Sequence, residues 1–578
     1  MVRLLLPITL CAVLFQWPRP SRAESWESQM LSATQARKAL RFNEARRLFE
    51  SALRQAERFG ENDPRLTTSL RDLADLYLDK KEYAKAEPLY LRELKILETF
   101  GNNYPDIAHD LFSLGRIYSA RHDYTKADKY YRRAVVPIEE EFPQANAREQ
   151  YILYSDLAEN CKNLKNYSDA EIYYNKMLAS GRVFAPGRPE MAEDLVRVAE
   201  NYENLGKFEE AANFYQRAAA QFEKIYGVSG GSVTALCQLA HVRLRQKNFG
   251  EADKVADQIH KAALKLRGKQ QVVLSTHIAD LGSQFADAGR YSQAETVYKA
   301  AILVAPRDTT IGQLDTGRTL LRLADVYSKQ ERWADAADYY QQLCSLYERT
   351  SGRNSIPYIH CISYLGSSRT NQKRYADAKV LFRSALSCAE RLPTRNYLEV
   401  INALRCLATV AHEQKQFPEA EALFKRALDI SKKNIGPNSS ITADCLHDLG
   451  SVYLDQQKYN QVLPIYRRAV EIYLSQPDPA TLNTSLMIET MNALSVIYLS
   501  ENNYAAIEPL CRKAIELSKH FSTSREAYGR TLSIYEDLLR RTNRLNQADQ
   551  IAAEARSLQE HEAATTYSRL APQLNLCK

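Results

Sequence analysis

The sequence predicts an all-α protein, a solenoid of about thirteen stacked helix pairs. Three observations carry that expectation. An aromatic-led phrase returns along the chain: YAKAEPLYLRELKI at Tyr83, FPEAEALFKRALDI at Phe417, YNQVLPIYRRAVEI at Tyr459 and YAAIEPLCRKAIEL at Tyr504. Its spacing is regular, since Trp333, Tyr375, Phe417 and Tyr459 stand 42 residues apart. Within each copy the apolar residues fall three, four and seven apart, which is the period of one helical face.

The register runs the length of the chain. Phe42, Tyr83, Tyr124, Tyr167, Phe208, Phe249 and Tyr291 lead seven copies, Trp333, Tyr375, Phe417, Tyr459 and Tyr504 lead five more, and Leu545 leads the thirteenth. An alanine follows three residues later in eleven of the thirteen; Val462 and Ile507 are the exceptions. A period kept from Phe42 to Leu545 is an internal repeat, to be settled before any site is sought.

Each copy reads as two helices. The first shows the stripe Leu70, Leu73, Ala74, Tyr77, repeated as Leu111, Leu114, Gly115, Tyr118 and as Leu446, Leu449, Gly450, Tyr453. A polar turn such as DKKE follows. The second helix then alternates large and small, as in Phe417, Ala420, Phe424, Ala427. A small residue lets the neighbouring helix approach, and the aromatic fills the space beside it. This places Phe424 in the core and makes the aromatic stripe architecture rather than a cofactor box. Pro88, Pro464 and Pro509 share a slot five residues after the marker, which puts them near the start of the second helix, where a missing N–H costs little. Helix-breaking clusters such as FGNNYPD, FAPGRPE and NIGPNSS separate the copies.

The opening MVRLLLPITLCAVLFQWPRPSRAES orders a basic residue, an apolar run from Leu4 to Phe15 and the small pair Ser21 and Ala23. That is the order of a secretory leader over residues 1–23, with cleavage after Ala23, so the expected form begins at Glu24 and is secreted or periplasmic. The run is too short for a bilayer, which needs about 20 residues, and no membrane span is expected once the leader is removed. Repeats are expected over 24–568 and a tail over 569–578.

Net charge is +7. The leader holds Arg3, Arg19 and Arg22 and no acid, so the remainder carries 74 basic against 70 acidic residues, or +4. The two signs are interleaved, without the basic stripe a nucleic-acid binder needs. Beyond Cys11 nine cysteines remain, with no CxxC pair. Their scatter at helical spacing fits neither a zinc site nor a dense disulfide framework; small core residues and one or two bridges formed after export both remain open. Phosphate-loop, zincin, nucleophile-elbow and dinucleotide motifs are missing from the sequence, and no enzyme, metal or cofactor is expected.

The slots Leu73, Ala74, Tyr77, Ala86 and Tyr90 resemble the tetratricopeptide repeat signature. The longer period, with AEPLY and RRA phrases and Gly/Asn/Pro loops, resembles the kinesin light chain subfamily over about residues 26–568. The resemblance implies a right-handed superhelix whose groove, lined by first helices, captures peptide segments of partner proteins. A motor role is not implied, since no heptad region precedes the array. Groove slots carried over from the family give Arg71, Asp72 and Asp75 in the second copy. Asp156 and Glu159 follow in the fourth, Glu193, Arg197 and Glu200 in the fifth, Arg318, Arg322 and Asp325 in the eighth, and Asn402 and Arg405 in the tenth. Phe112, Ile152, Val196 and Leu321 supply apolar contacts between them. The early groove thus leans acidic and should favour a peptide carrying Lys or Arg. Arg318 and Arg322 resemble half of the clamp with which chaperone-binding relatives hold a terminal carboxylate; Asp280 and the Cys237/His241 pair replace the other half. His241, His360, His412 and His447 are expected on the groove or surface. The function expected is a non-enzymatic exported scaffold for a protein or peptide ligand, the alternative being a part of an envelope or secretion assembly that uses its outer faces.

Overall fold

The marker aromatics turn out to be helix starts. In the computed structural model, which describes residues 25–558 except 101–104, 142–146, 185–189, 267–271, 307, 393–395, 478–482 and 521–524, each of the thirteen markers is the first residue of a second helix. Repeat 2 pairs Pro64–Asp79 with Tyr83–Glu98, and repeat 3 pairs Pro105–Ala120 with Tyr124–Glu141. Repeat 4 pairs Ala147–Asn163 with Tyr167–Phe184, repeat 10 Tyr397–Glu413 with Phe417–Asn434, and repeat 11 Ser440–Asp455 with Tyr459–Leu474. The described residues contain no strand. The expected leader (1–23) and tail (569–578) lie outside them, and among them no helix is long and apolar enough to cross a membrane.

Two compact units divide the chain, residues 1–266 and 267–578. Within each, first helices pack on the first helices of the next repeat as well as on their own partners: Pro64–Asp79 touches Pro105–Ala120, which touches Ala147–Asn163, and Tyr397–Glu413 touches Ser440–Asp455. One face of each unit is therefore built from first helices.

Every turn within a repeat has the same backbone. The residue two before the marker adopts a left-handed φ: Gly206 and Gly289 do so in two repeats, and non-glycine residues such as Lys81 (58°) and Lys415 (58°) in the other eleven. The next N–H then reaches back five residues, Glu82 N to Tyr77 O at 2.8 Å and Gln416 N to Ala411 O at 2.9 Å. This closure satisfies carbonyls at the end of the first helix. The shared proline slot needs a correction. Pro88, Pro464 and Pro509 lie inside the second helix, a turn beyond its start. All three are exposed, so the carbonyl each leaves without a helical partner can be hydrated.

The large-small alternation forms the core. Tyr90, Tyr174, Tyr466 and Phe424 are fully buried, each seven residues past its marker. A Cβ on Gly282 would come within 2.7 Å of the Tyr298 ring, and one on Gly366 within 2.7 Å of Phe382. Glycine there admits the ring. Cys344 and Cys361 form a disulfide joining the second helix of one repeat to the first of the next. Cys161, Cys237, Cys445 and Cys511 are free and buried, so both expected cysteine roles occur.

Candidate functional site

The first-helix face of repeats 2–4 carries two adjoining cavities. One, of about 450 Å³, is walled by Leu78, Phe112, Ile138 and Ile152, with Arg37, Arg71 and His109 among its polar groups. The second, of about 520 Å³, is lined by Tyr83, Ser119, Tyr131, Asp156 and Glu159. Leu78, Asp79 and Arg116 belong to both and so form the shared wall. Arg116 is 53% exposed, sits 5.7 Å from the Phe112 ring and lies 3.7 Å from Asp156.

Beneath the first cavity lies an unbalanced charge cluster. Arg71 pairs with buried Glu93 at 2.7 Å and with Asp106 at 2.6 Å. Asp110, also fully buried, has neither oxygen hydrogen-bonded, and Glu93 Oε2 lacks a partner. Burial pushes both carboxyls up, and the charge of Asp110 raises Glu93 further. Taking up protons removes the buried charge that Arg71 alone does not balance.

The acids expected on the groove are mostly held from behind. Tyr90 donates to Asp75 at 2.6 Å, Tyr174 to Glu159 at 2.8 Å and Tyr340 to Asp325 at 2.7 Å. In each case the buried ring sits fifteen residues after the acid, and where the ring is Phe382 or Phe424 that acid slot holds Ser367 or Thr409. Cations from outside the expected set also meet Asp75, Glu159 and Glu200. Arg37 bonds Asp79 at 2.7 Å and approaches Asp75 at 3.5 Å, while Lys162 reaches Glu159 and Glu200, both at 3.1 Å. The acidic lean is thereby smaller than the sequence suggests. Asp156 is held more loosely: Arg116 lies 3.7 Å away, and burial raises its carboxyl to about 6. Asp72 is raised too, by burial and then by Asp75.

Models of the tetratricopeptide repeat match residues 27–99, 77–135, 275–349, 315–391, 358–433, 399–475 and 487–520. The chain belongs to the tetratricopeptide repeat family. Residues 136–274 fall outside those matches, yet carry the same helix pairs. Similar solved structures include BtubC (BKLC) from P. vanneervenii, 16% identical over 40% of this chain and 92% of that one, with a TM-score of 0.35. A putative kinesin light chain of Podosopora anserina with nearly identical repeats is 18% identical over 34% and 94%, with a TM-score of 0.31. Yeast Tom70 is 13% identical over 95% and 96%, with a TM-score of 0.37. No curated protein matches.

The remaining tetratricopeptide slots do not join this site. Arg197 bonds Ser155 Oγ at 3.1 Å. Arg318 is 71% exposed, 3.5 Å from Asp315, and Arg322 lies 3.3 Å from Asp280. The residue standing where the clamp wants an asparagine thus neutralises half of that clamp. Arg405 is consumed by Asp448 and by Asp444 at 3.6 Å. Three of the four histidines meet acids: His241 lies 3.3 Å from Glu203, His360 3.0 Å from Glu399 and His412 2.8 Å from Asp455. His447 instead meets Thr490 at 2.8 Å, and burial lowers it to about 4. Carrying the groove register through repeat 3 would have given His109, Ser113 and Arg116 beside Phe112. Pro137 and Ile138 come from the end of a second helix, which that register does not reach.

Proposed function

We propose that this chain is an exported, non-catalytic tetratricopeptide scaffold that holds a peptide segment of a partner protein on the first-helix face of repeats 2–4. The observation that carries the reading is the pair of adjoining open cavities, walled by half-buried Phe112 and Ile152 and by side chains able to orient a backbone. Exposed ion pairs contribute only about 0–1 kcal/mol each, so an apolar seat is what a peptide needs there. Export is supported by the leader-like opening, and the Cys344–Cys361 bridge agrees with an oxidising compartment.

The test is site-specific photo-crosslinking in intact cells. A photoreactive residue at Ala120, exposed on the wall of the second cavity, should capture a partner on the mature chain beginning at Glu24. One at Ile172, 53% exposed on a second helix, should not. Capture at Ile172 alone would move the function to the outer face, as an assembly part.

A further inference from the structure

We propose that the two adjoining cavities read one peptide motif: an apolar side chain and, two or three residues away in either chain direction, a lysine or arginine. The inference rests on the groove reading above and assigns its chemistry. The cavities differ in kind. The first offers Leu78, Phe112, Ile138 and Ile152 to a side chain. Two of its three arginines are engaged, Arg37 with Asp79 and Arg71 with Glu93 and Asp106. The third, Arg116, stands on the shared wall toward Asp156, which leaves the apolar surface of the first cavity open to a side chain. The second cavity brings Asp79, Asp156 and Glu159 together against Lys81 and Arg116. Asp79 belongs to Arg37, and Glu159 shares Lys162 and Tyr174. Asp156 faces the cavity 36% exposed, with Arg116 no nearer than 3.7 Å.

A partly desolvated carboxylate with so distant a counter-ion gains from a ligand cation that can hydrogen-bond it, because charge-assisted bonds are the strong ones. Asp156 also feels Arg197 and the like charge of Glu159, and the second of these disfavours its ionised form. A lysine or arginine between Asp156 and Glu159 would relieve that repulsion. Geometry sets the spacing. Neighbouring packed helices lie about 8–10 Å apart, and alternate side chains of an extended peptide lie about 7 Å apart on one face. The wall at Leu78 and Arg116 falls between the two seats, so the anchor and the cation are two or three residues apart.

The experiment is display of random dodecapeptides on the immobilised mature chain, followed by fluorescence anisotropy with the best-enriched peptide. Wild type is compared with Asp156→Asn/Glu159→Gln and with Ala120→Trp, an exposed wall position whose indole fills the second cavity; melting curves check that both variants fold. Enriched peptides should share one spacing, an apolar and a basic residue two or three positions apart in a single chain order. Replacing the peptide's basic residue by glutamate should weaken binding to wild type by about tenfold or more, and far less to the carboxamide variant. Peptides that Ala120→Trp blocks but that carry no such basic residue would overturn the motif and leave the groove standing. No enrichment, or binding indifferent to Ala120→Trp, would overturn both.

Discussion

Arg71 and Arg405 occupy the same slot, twelve residues before the markers Tyr83 and Phe417, and meet opposite fates. In repeat 10 the arginine reaches across to the next first helix, where Asp444 and Asp448 enclose it and Tyr473 donates to Asp444 at 2.6 Å. Its side chain is 21% exposed and the aspartates 10% and 16%, so charge there is matched and largely covered. In repeat 2 the matching slot of the next repeat, eleven before its marker, holds Ser113 where repeat 11 holds Asp448. Arg71 turns instead to Glu93 and Asp106, and a cavity opens beside it. Two slots of the neighbouring repeat separate the cases, since His109 and Ser113 stand where repeat 11 has Asp444 and Asp448.

The sharpest way to break that comparison is to remove each arginine. Arg405→Met strands two poorly exposed aspartates and should cost about 3–5 kcal/mol. Arg71→Met should cost less, about 1–3 kcal/mol, because Glu93 sits where its carboxyl readily holds a proton. Urea unfolding midpoints at neutral pH read both, and equal losses would mean that Glu93 is charged in the native protein.

A pH series sharpens the same point. Glu93 and Asp110 have folded pKa values above their unfolded ones, so the native state binds extra protons. Their contribution is fully present below the unfolded carboxylate range near pH 4 and is lost as pH rises through the raised values. The first unit should therefore lose stability on the order of 1–3 kcal/mol as pH climbs from about 5 to 8, read as a falling melting temperature. Asp110→Asn should flatten that dependence, and a wild-type profile as flat as the variant's would mean that Asp110 holds no extra proton in the native state. The smallest effect concerns a feature common to both regions. Lys415→Gly at a left-handed turn position should stabilise by up to about 1 kcal/mol, since a side chain there costs about 1–2 kcal/mol and glycine's unfolded-state entropy returns part of it. A lowered melting temperature would show that the lysine side chain contributes more than its backbone strain.

The architecture was legible because it is written in periods. The markers name the first residue of every second helix, and Phe424 is buried as its slot requires. The proline slot was read a turn too early, since solvent exposure rather than the free helix start accommodates Pro88. The site was legible in part. Slots gave Asp75 and Glu159 their face, yet not the hydroxyls of Tyr90 and Tyr174 behind them, which come from second helices. Arg37 and Lys162, neither of them among the expected groove residues, neutralise groove acids of the next repeat. Charge balance on a surface depends on which long side chains lean across, and that is a property of packing between repeats.

The left-handed turn before each second helix has a consequence for how such a chain can change over generations. Its backbone is the same whether lysine, histidine, asparagine or glycine occupies it. A copied segment of about 42 residues therefore arrives with its own hinge already formed, at a small cost for whichever residue holds that position. The number of repeats can grow or shrink by duplication and loss while each copy drifts in sequence, which leaves the side chains of the first-helix face free to be selected for what they hold.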